Sequence, residues 1–364
     1  MMLYLAAFIF IFTMLQLMVT ASNLIFKPNL HNLNLQGNPL ISVLIPARNE
    51  ADNIGILLND LVIQPYANIE IIVFDDQSDD VTGEIVSHMA ETDTRIKLVR
   101  SSGLPAGWLG KNFACHSLSR HAKGTYLLFL DADVRMSNDI IQSAVAYSQK
   151  HHLGLFSIFP KQIVITPGEK MTVPIMNYIL LSLLPLPLVQ WSSFRSLAAA
   201  NGQFMLFNSI IYNRLKAHEH VKNCKVEDIE ILRYFKTEGI PVACLTGDES
   251  IRCRMYSSFG EAVGGFSKNI IAFFGNSFLL ALLFWLITTF GFIPVLISFS
   301  VNLFVVYIVM FLTIRLFVSI VSHQRILNSF LYLIPQQLVM GLVMFRAFLN
   351  KHFFHYQWKG RSIG

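Results

Sequence analysis

The chain has 364 residues, of which 53% are hydrophobic and only 14% charged, against roughly 25% charged in an ordinary soluble domain. This balance argues against a wholly soluble protein. The formal charge of +5 would by itself suit nucleic acid or an anionic membrane surface, yet six cations beyond Asn269 carry the whole excess, leaving 22 basic against 23 acidic residues between Lys27 and Lys268. So even a balance supplies no basic DNA-binding face, and nucleic acid is not expected as a partner.

Residues 1–26 carry no charge. The run Leu3 to Val19 is long enough for a membrane helix and is followed by Lys27, so residues 1–26 are predicted to be an N-terminal transmembrane anchor. A cleaved signal peptide, the alternative, usually starts with a positive region, which Met1 to Tyr4 lacks. Residues 27–268 then read as one domain of normal composition. Strand patterns at Leu40–Ile45 (stopped by Pro46), Ile69–Phe74, Ile96–Val99 and Tyr126–Leu130 alternate with helical patterns at Ala51–Ile63, Val81–Met89 and Phe113–Ala122. That alternation predicts an α/β fold with a mainly parallel sheet covered on both faces, whose ligands bind beyond the carboxyl ends of the strands. The apolar stretch 173–191 contains Pro174, Pro185 and Pro187, and is predicted to lie in or on the membrane interface. Residues 269–364 form a C-terminal membrane region and basic tail, with runs at about Phe273–Pro294, Ile297–Val321 and Phe330–Leu349, each close to the ~20 residues needed to span. The four cysteines form no CxxC pair, which suits free thiols rather than a disulfide framework or a zinc site.

Three strand ends carry polar clusters: Pro46-Ala47-Arg48-Asn49-Glu50, Asp75-Asp76-Gln77-Ser78-Asp79-Asp80 and Asp131-Ala132-Asp133. Each alone could be a turn or a helix cap, and Asp79 is placed to cap the helix that follows. The carboxylates of Asp131 and Asp133, one residue apart after an apolar strand, suit Mg²⁺ or Mn²⁺ shared with substrate phosphates. No GxGxxG follows the first strand, and Gly107 to Asn112 falls short of a P-loop, which would need Gly at Pro105 and Ser or Thr at Asn112. What remains is a Gly-rich loop whose Lys111 opens a helix, a setting for phosphate. From Val226 to Phe235 a helix is predicted with Val226, Ile229, Leu232 and Phe235 inward; Glu227 and Asp228 in its first turn either favour the helix dipole or supply a general base.

Together these residues resemble family-two glycosyltransferases with the GT-A fold, and more closely the membrane-anchored bacterial branch that glycosylates carotenoids and related polyene or polycyclic lipids, the diaponeurosporenoate glucosyltransferases among them. The motifs are PARNE (46–50), DDQSDD (75–80), GWLGKNFAC (107–115), FLDADV (129–134), EDIEILRYFKTEG (227–239), RCRMY (252–256), GGFSKN (264–269) and WKGR (358–361). The resemblance implies that Pro46, Arg48 and Glu50 line the nucleotide pocket and that Asp76 accepts the uracil N–H. It puts Asp131 at the ribose or sugar, Asp133 on the metal, Lys111 near the donor, Arg254 at the diphosphate and Asp228, preceded by Glu227, as the base. The implied activity is inverting transfer of a hexose, glucose foremost, from a UDP-sugar to a membrane lipid, with Mg²⁺ or Mn²⁺ as cofactor. A polyprenyl-phosphate sugar synthase is the neighbouring alternative, for which Arg252, Arg254 and Lys268 offer interfacial cations; a non-catalytic membrane protein is the alternative of a different class.

The expected location is the cell membrane, multi-pass, with the catalytic domain cytoplasmic. Three late spans would then leave Trp358 to Arg361 outside, against the positive-inside tendency. One late run, the last with Pro335, Gln336 and Gln337, is therefore expected to be re-entrant or interfacial.

Overall fold

A computed structural model describes residues 1–30, 33–137 and 139–353, with side chains as far as residue 350, and the backbone of residues 357–358 and 361–362. The chain begins with helix α1 (Met2–Ile25) and enters the domain at β1 (Ile41–Ala47). It continues through α2 (Ile54–Val62), β2 (Ile69–Asp75), α3 (Thr82–Thr92), β3 (Ile96–Arg100), α4 (Gly110–His121) and β4 (Tyr126–Leu130). These are the strands and helices the apolar periodicity predicts. One boundary differs, because β1 runs through Pro46. Its pairing with β4 ends at Leu44 while its pairing with β2 continues to Ala47, so the proline's missing donor falls where the strand has one neighbour only.

The second half adds β5 (Val134–Met136), α5 (Ile140–Lys150), β6 (Leu155–Phe159), β7 (Lys161–Gln162), α6 (Pro167–Thr172), α7 (Pro174–Leu183) and α8 (Pro187–Trp191). It then runs through β8 (Phe204–Asn208), α9 (Ser209–Leu215), α10 (Ala217–His220), α11 (Glu227–Thr237), β9 (Val242–Thr246) and β10 (Ile251–Cys253). The main sheet has the order β3-β2-β1-β4-β8-β6-β9, with β8 alone antiparallel to its neighbours. Strand order reverses between β1 and β4, which opens a crevice at their carboxyl ends. Alternate residues divide between two cores: Val43, Ile45, Ile71, Val73 and Leu128 pack with α2 and α5, whereas Leu44, Ile72, Phe74 and Phe129 pack with α4, α7 and α11. Burial on both faces explains why these strands read as unbroken apolar runs.

The rest of the chain is helical: α12 (Phe259–Asn269), a 3₁₀ turn (Ile270–Phe274), α13 (Phe278–Phe290), α14 (Phe292–Ser298), α15 (Val301–Val321), α16 (Ile326–Leu331) and α17 (Leu333–Phe353). Among the described residues, three helices are long and apolar enough to cross a membrane: Met2–Ile25, Val301–Val321 and Leu333–Asn350. A discontinuity lies at the start of the first late run, whereas the last, expected to be re-entrant or interfacial, is unbroken. A 99° bend separates Phe259–Phe274 from Phe278–Phe290, where Gly275 and Asn276 both take positive φ, and α13 ends at Gly291, close to Pro294. The last run is one helix whose Gln336 donates to the Lys170 carbonyl and whose Asn350 donates to Ser267. Of WKGR, Lys359 and Gly360 lie outside the described residues, while Trp358 pairs with Arg361 in a two-residue ladder.

The stretch 173–191 folds as α7 and α8 against α1. Gln16 donates to Ser182 (3.1 Å), Asn23 donates to the carbonyls of Leu181 (2.9 Å) and Leu184 (3.0 Å), and its side-chain oxygen accepts from the Leu186 N–H (2.6 Å). Ten residues of α7 rise about 15 Å, half the ~30 Å of a bilayer core, so α7 by itself is too short to span. Helix α1 is inverted relative to a helix in water: Thr13, Gln16, Thr20 and Asn23 are buried while Phe8, Ile11, Leu15 and Met18 are exposed.

Candidate active site

The first two polar clusters form one structure. After β1 and β2 the backbone turns through left-handed residues, Asn49 (φ 52°) and Gln77 (φ 56°), and the loops are stitched together by Asn49 N–H to Ser78 Oγ (3.0 Å), Asp79 N–H to Asn49 Oδ1 (2.8 Å) and Glu50 N–H to Thr82 Oγ1 (2.8 Å). Arg48 donates to the carbonyls of Asp76 (2.6 Å) and Gln77 (2.9 Å). It thus fixes the loop that presents Asp76, a buried side chain. Pro46 stands in the β1 end beside Phe74. Asp79 does not cap α3; Asp80 instead accepts from the N–H and hydroxyl of Thr82 and from Ala51 N–H. Although desolvation acts the other way, these bonds hold the Asp80 carboxyl below its ordinary value.

The third cluster meets α4 and α11 across the crevice. Lys111 Nζ lies 2.8 and 2.9 Å from the two oxygens of Asp131 and 3.4 Å from Glu227 Oε1. Burial disfavours its charge, but Asp131 and then Glu227 outweigh that and hold the ammonium well above the usual lysine range. Lys111 therefore ties the DxD strand end to the acidic start of α11. Beside it, Asp228 Oδ1 accepts from Ile229 N–H (2.8 Å) and Oδ2 from Gly202 N–H (3.0 Å). Desolvation, followed by the charge of Glu227, pushes the Asp228 carboxyl up to about 7.

Asp133 faces a different set of groups. Its Oδ2 lies 3.5 Å from Gln203 Nε2, which also donates to Cys253 Sγ at 2.8 Å. Its Oδ1 is buried with no hydrogen-bond partner. Desolvation, then repulsion from Asp131, pushes this carboxyl up to about 6, so a nearby positive charge would relieve it. A divalent cation fits that orphaned oxygen. Among the described residues no three His, Cys, Asp or Glu side chains converge as a metal site, which matches a cation held by one or two carboxylates plus phosphates and water.

Sequence reasoning missed Gly202, Gln203 and Cys253. A Cβ at Gly202 would lie 2.9 Å from Lys111 Nζ and 3.4 Å from Glu227 Oε1, so a larger residue there would push the end of the lysine side chain aside. The available signal was the polar Asn201-Gly202-Gln203 directly before the apolar β8. Arg254 is bound to the fully buried Glu169 at 2.7 Å, a residue that also completes the capping box of α6. One expectation needs correction. On α11, Ile231, Leu232 and Phe235 are buried, while Val226 and Ile229 are only half-buried, because the first turn is rotated to present its acids to Lys111 and Gly202.

A switch-point crevice with paired acids at strand ends, on this sheet order, defines a GT-A type domain. Residues 42–196 match the family described as Glycosyl transferase family 2. The chain's relatives include the 4,4'-diaponeurosporenoate glycosyltransferase of Staphylococcus haemolyticus (strain JCSC1435), 28% identical over 239 residues, covering 63% of this chain and 60% of the relative. The protein of the same name from Staphylococcus aureus (strain USA300) is 24% identical over 254 residues, covering 68% and 65% respectively. The chain thus spans less than two thirds of the length of these relatives. Among solved structures, the mannosyltransferase PcManGT from Pyrobaculum calidifontis, in complex with GDP-Man and Mn²⁺, superposes with TM-score 0.55 at 16% identity over 97% of this chain and 99% of that one, a likeness of fold.

Proposed function

We propose that the protein is an inverting hexosyltransferase that moves glucose from a UDP-sugar to a membrane lipid, a carotenoid or related polyene, at the cytoplasmic face of the cell membrane. The observation that carries this reading is the joining of Asp131, Lys111, Glu227 and Asp228 in one crevice beside helices apolar enough to span. The activity for which the staphylococcal relatives are named, diaponeurosporenoate glycosylation, supports the acceptor class. In this reading Pro46, Glu50 and Asp76 line the nucleotide pocket, with Arg48 holding its loop. Asp131 orients the ribose or sugar, Lys111 keeps Asp131 in place, and Arg254, steadied by Glu169, approaches the diphosphate. Asp133 would hold Mg²⁺ or Mn²⁺, which when bound neutralises charge on the departing diphosphate. Asp228, poised near 7, takes the proton of an attacking hydroxyl, a pKa suited to a general base at neutral pH. An acceptor carboxyl would already be ionised, since its reference pKa is about 4.

The helices support a topology that keeps the tail beside the domain. Lys27 donates to the Val321 carbonyl at 3.2 Å, and Phe10 meets Phe299 with ring centroids 5.9 Å apart, so α1 and α15 run in the same direction and α13–α14 return the chain between them. Helix α17 bonds to α6 near its start and to α12 near its end, which suits an interfacial helix. The test is to incubate membranes holding the protein with labelled UDP-glucose, UDP-GlcNAc and GDP-mannose and to identify the labelled lipid. Label from UDP-glucose in a carotenoid or polyene is expected; label only in polyprenyl phosphate, or metal-independent turnover, overturns the assignment.

A further inference from the structure

Arg315 lies within α15 at 4% exposure. Its guanidinium carbon stands 3.5 Å from the centre of the Tyr178 ring on α7 and 5.7 Å from that of Phe311. Among the described residues its side chain makes no ion pair or hydrogen bond, and Nε is buried without an acceptor. The sequence explains why no counter-ion is at hand: no Asp or Glu precedes Glu50 or follows Glu261, and α7 carries no charged residue. The nearby hydroxyls already serve backbone or one another, Thr13 with the Ile9 carbonyl and Ser319 with the Arg315 carbonyl and Ser329.

An arginine within a membrane helix is costly. A desolvated cation–π contact offsets part of that cost, but it uses the face of the guanidinium and leaves its in-plane N–H donors unmatched. Those donors form a fork that fits the two oxygens of a carboxylate or a phosphate. Since the bundle supplies no acid, the complementary oxyanion comes from outside the chain, and in a bilayer it is carried by lipid. Phe311, half-buried, and Leu312, exposed, lie on the turn of α15 that precedes Arg315.

We propose that Arg315 binds the single oxyanion of an acidic membrane lipid, a phosphodiester or a carboxylate, between α15 and α7. This rests on the apolar helices being membrane-embedded, not on the identity of the sugar or acceptor. The full chain is reconstituted in nanodiscs of phosphatidylcholine alone, with phosphatidylglycerol, or with palmitate; lipid retained per chain is read by mass spectrometry, and thermal unfolding is followed in parallel. Wild type is expected to retain an acidic lipid and to unfold at a higher temperature with it, whereas Arg315→Gln retains about tenfold less, the equivalent of one lost charge-assisted contact, and gains no stability. Arg315→Lys keeps part of the effect. Preference for phosphatidylglycerol assigns a phosphate, preference for palmitate a carboxylate, and equal retention of both the shared oxyanion chemistry. Equal retention by wild type and Arg315→Gln overturns the proposal. Should the Gln variant fail to fold, wild type decides it alone: no preference for either acidic lipid over phosphatidylcholine overturns it.

Discussion

The crevice of the sheet and the bundle of apolar helices answer the same demand, that a polar group away from water must find a partner, in opposite ways. At the carboxyl end of the sheet, half-buried charge is matched by charge: Lys111 stands between Asp131 and Glu227, and Asp228 is held by two backbone N–H groups. In the bundle, the amides of Gln16 and Asn23 on α1 reach the Ser182 hydroxyl and the Leu181 carbonyl of α7, and the buried cation Arg315 has an aromatic face in place of an acid. Patterning inverts accordingly, with apolar residues facing inward in the sheet domain and polar ones inward in α1. The solvent each region is built for accounts for the difference, since in lipid only internal partners can satisfy a polar group.

Substitutions test this contrast at both ends. The largest effect is expected at Asp133, whose Asp133→Ala variant should lose about a thousandfold in turnover with unchanged thermal unfolding; retained turnover would remove it from the site. Lys111→Met should leave Asp131 and Glu227 facing each other without compensation, lowering stability by about 3 kcal/mol in chemical denaturation, and unchanged stability would show the pairing to be superficial. For a hydroxyl acceptor, wild-type activity should rise with pH through about 7 as Asp228 loses its proton. Asp228→Asn should abolish that inflection and cost about a hundredfold in kcat, with a smaller loss on a carboxyl acceptor; equal, complete loss on both counts against proton abstraction. Gly202→Ala should displace Lys111 and lower kcat about tenfold through misplacement alone. The smallest effect belongs to the bundle: Gln16→Leu removes the bond to Ser182 and should cost only about 0.6 kcal/mol, measured by thermal unfolding in detergent. A large loss there would mean that the bundle depends on its polar contacts as strongly as the crevice does on its charges.

The strands β1 to β4 and their polar ends were legible because a strand buried on both faces writes an unbroken apolar run, and the loop chemistry begins where that run stops. The strands from β5 onward were not legible. The small sheet of β5, β10 and β7 consists of pieces of two or three residues, too short for periodicity to register. Gly202 was missed for a related reason: a close approach between distant segments leaves no local pattern. The break at Gly275 and Asn276 was hidden inside an apolar run whose composition satisfied a span.

The sequence by itself determined the α/β domain, the acidic strand ends, the helices apolar enough for a membrane and the family resemblance, since each is written in contiguous residues with a period or a motif. Tertiary structure alone decided that Lys111 bridges Asp131 and Glu227, that Arg254 is bound to Glu169, that 173–191 docks on α1, and that Arg315 has no acid beside it. Those outcomes depend on distances between residues far apart in the chain, which packing of the whole molecule sets.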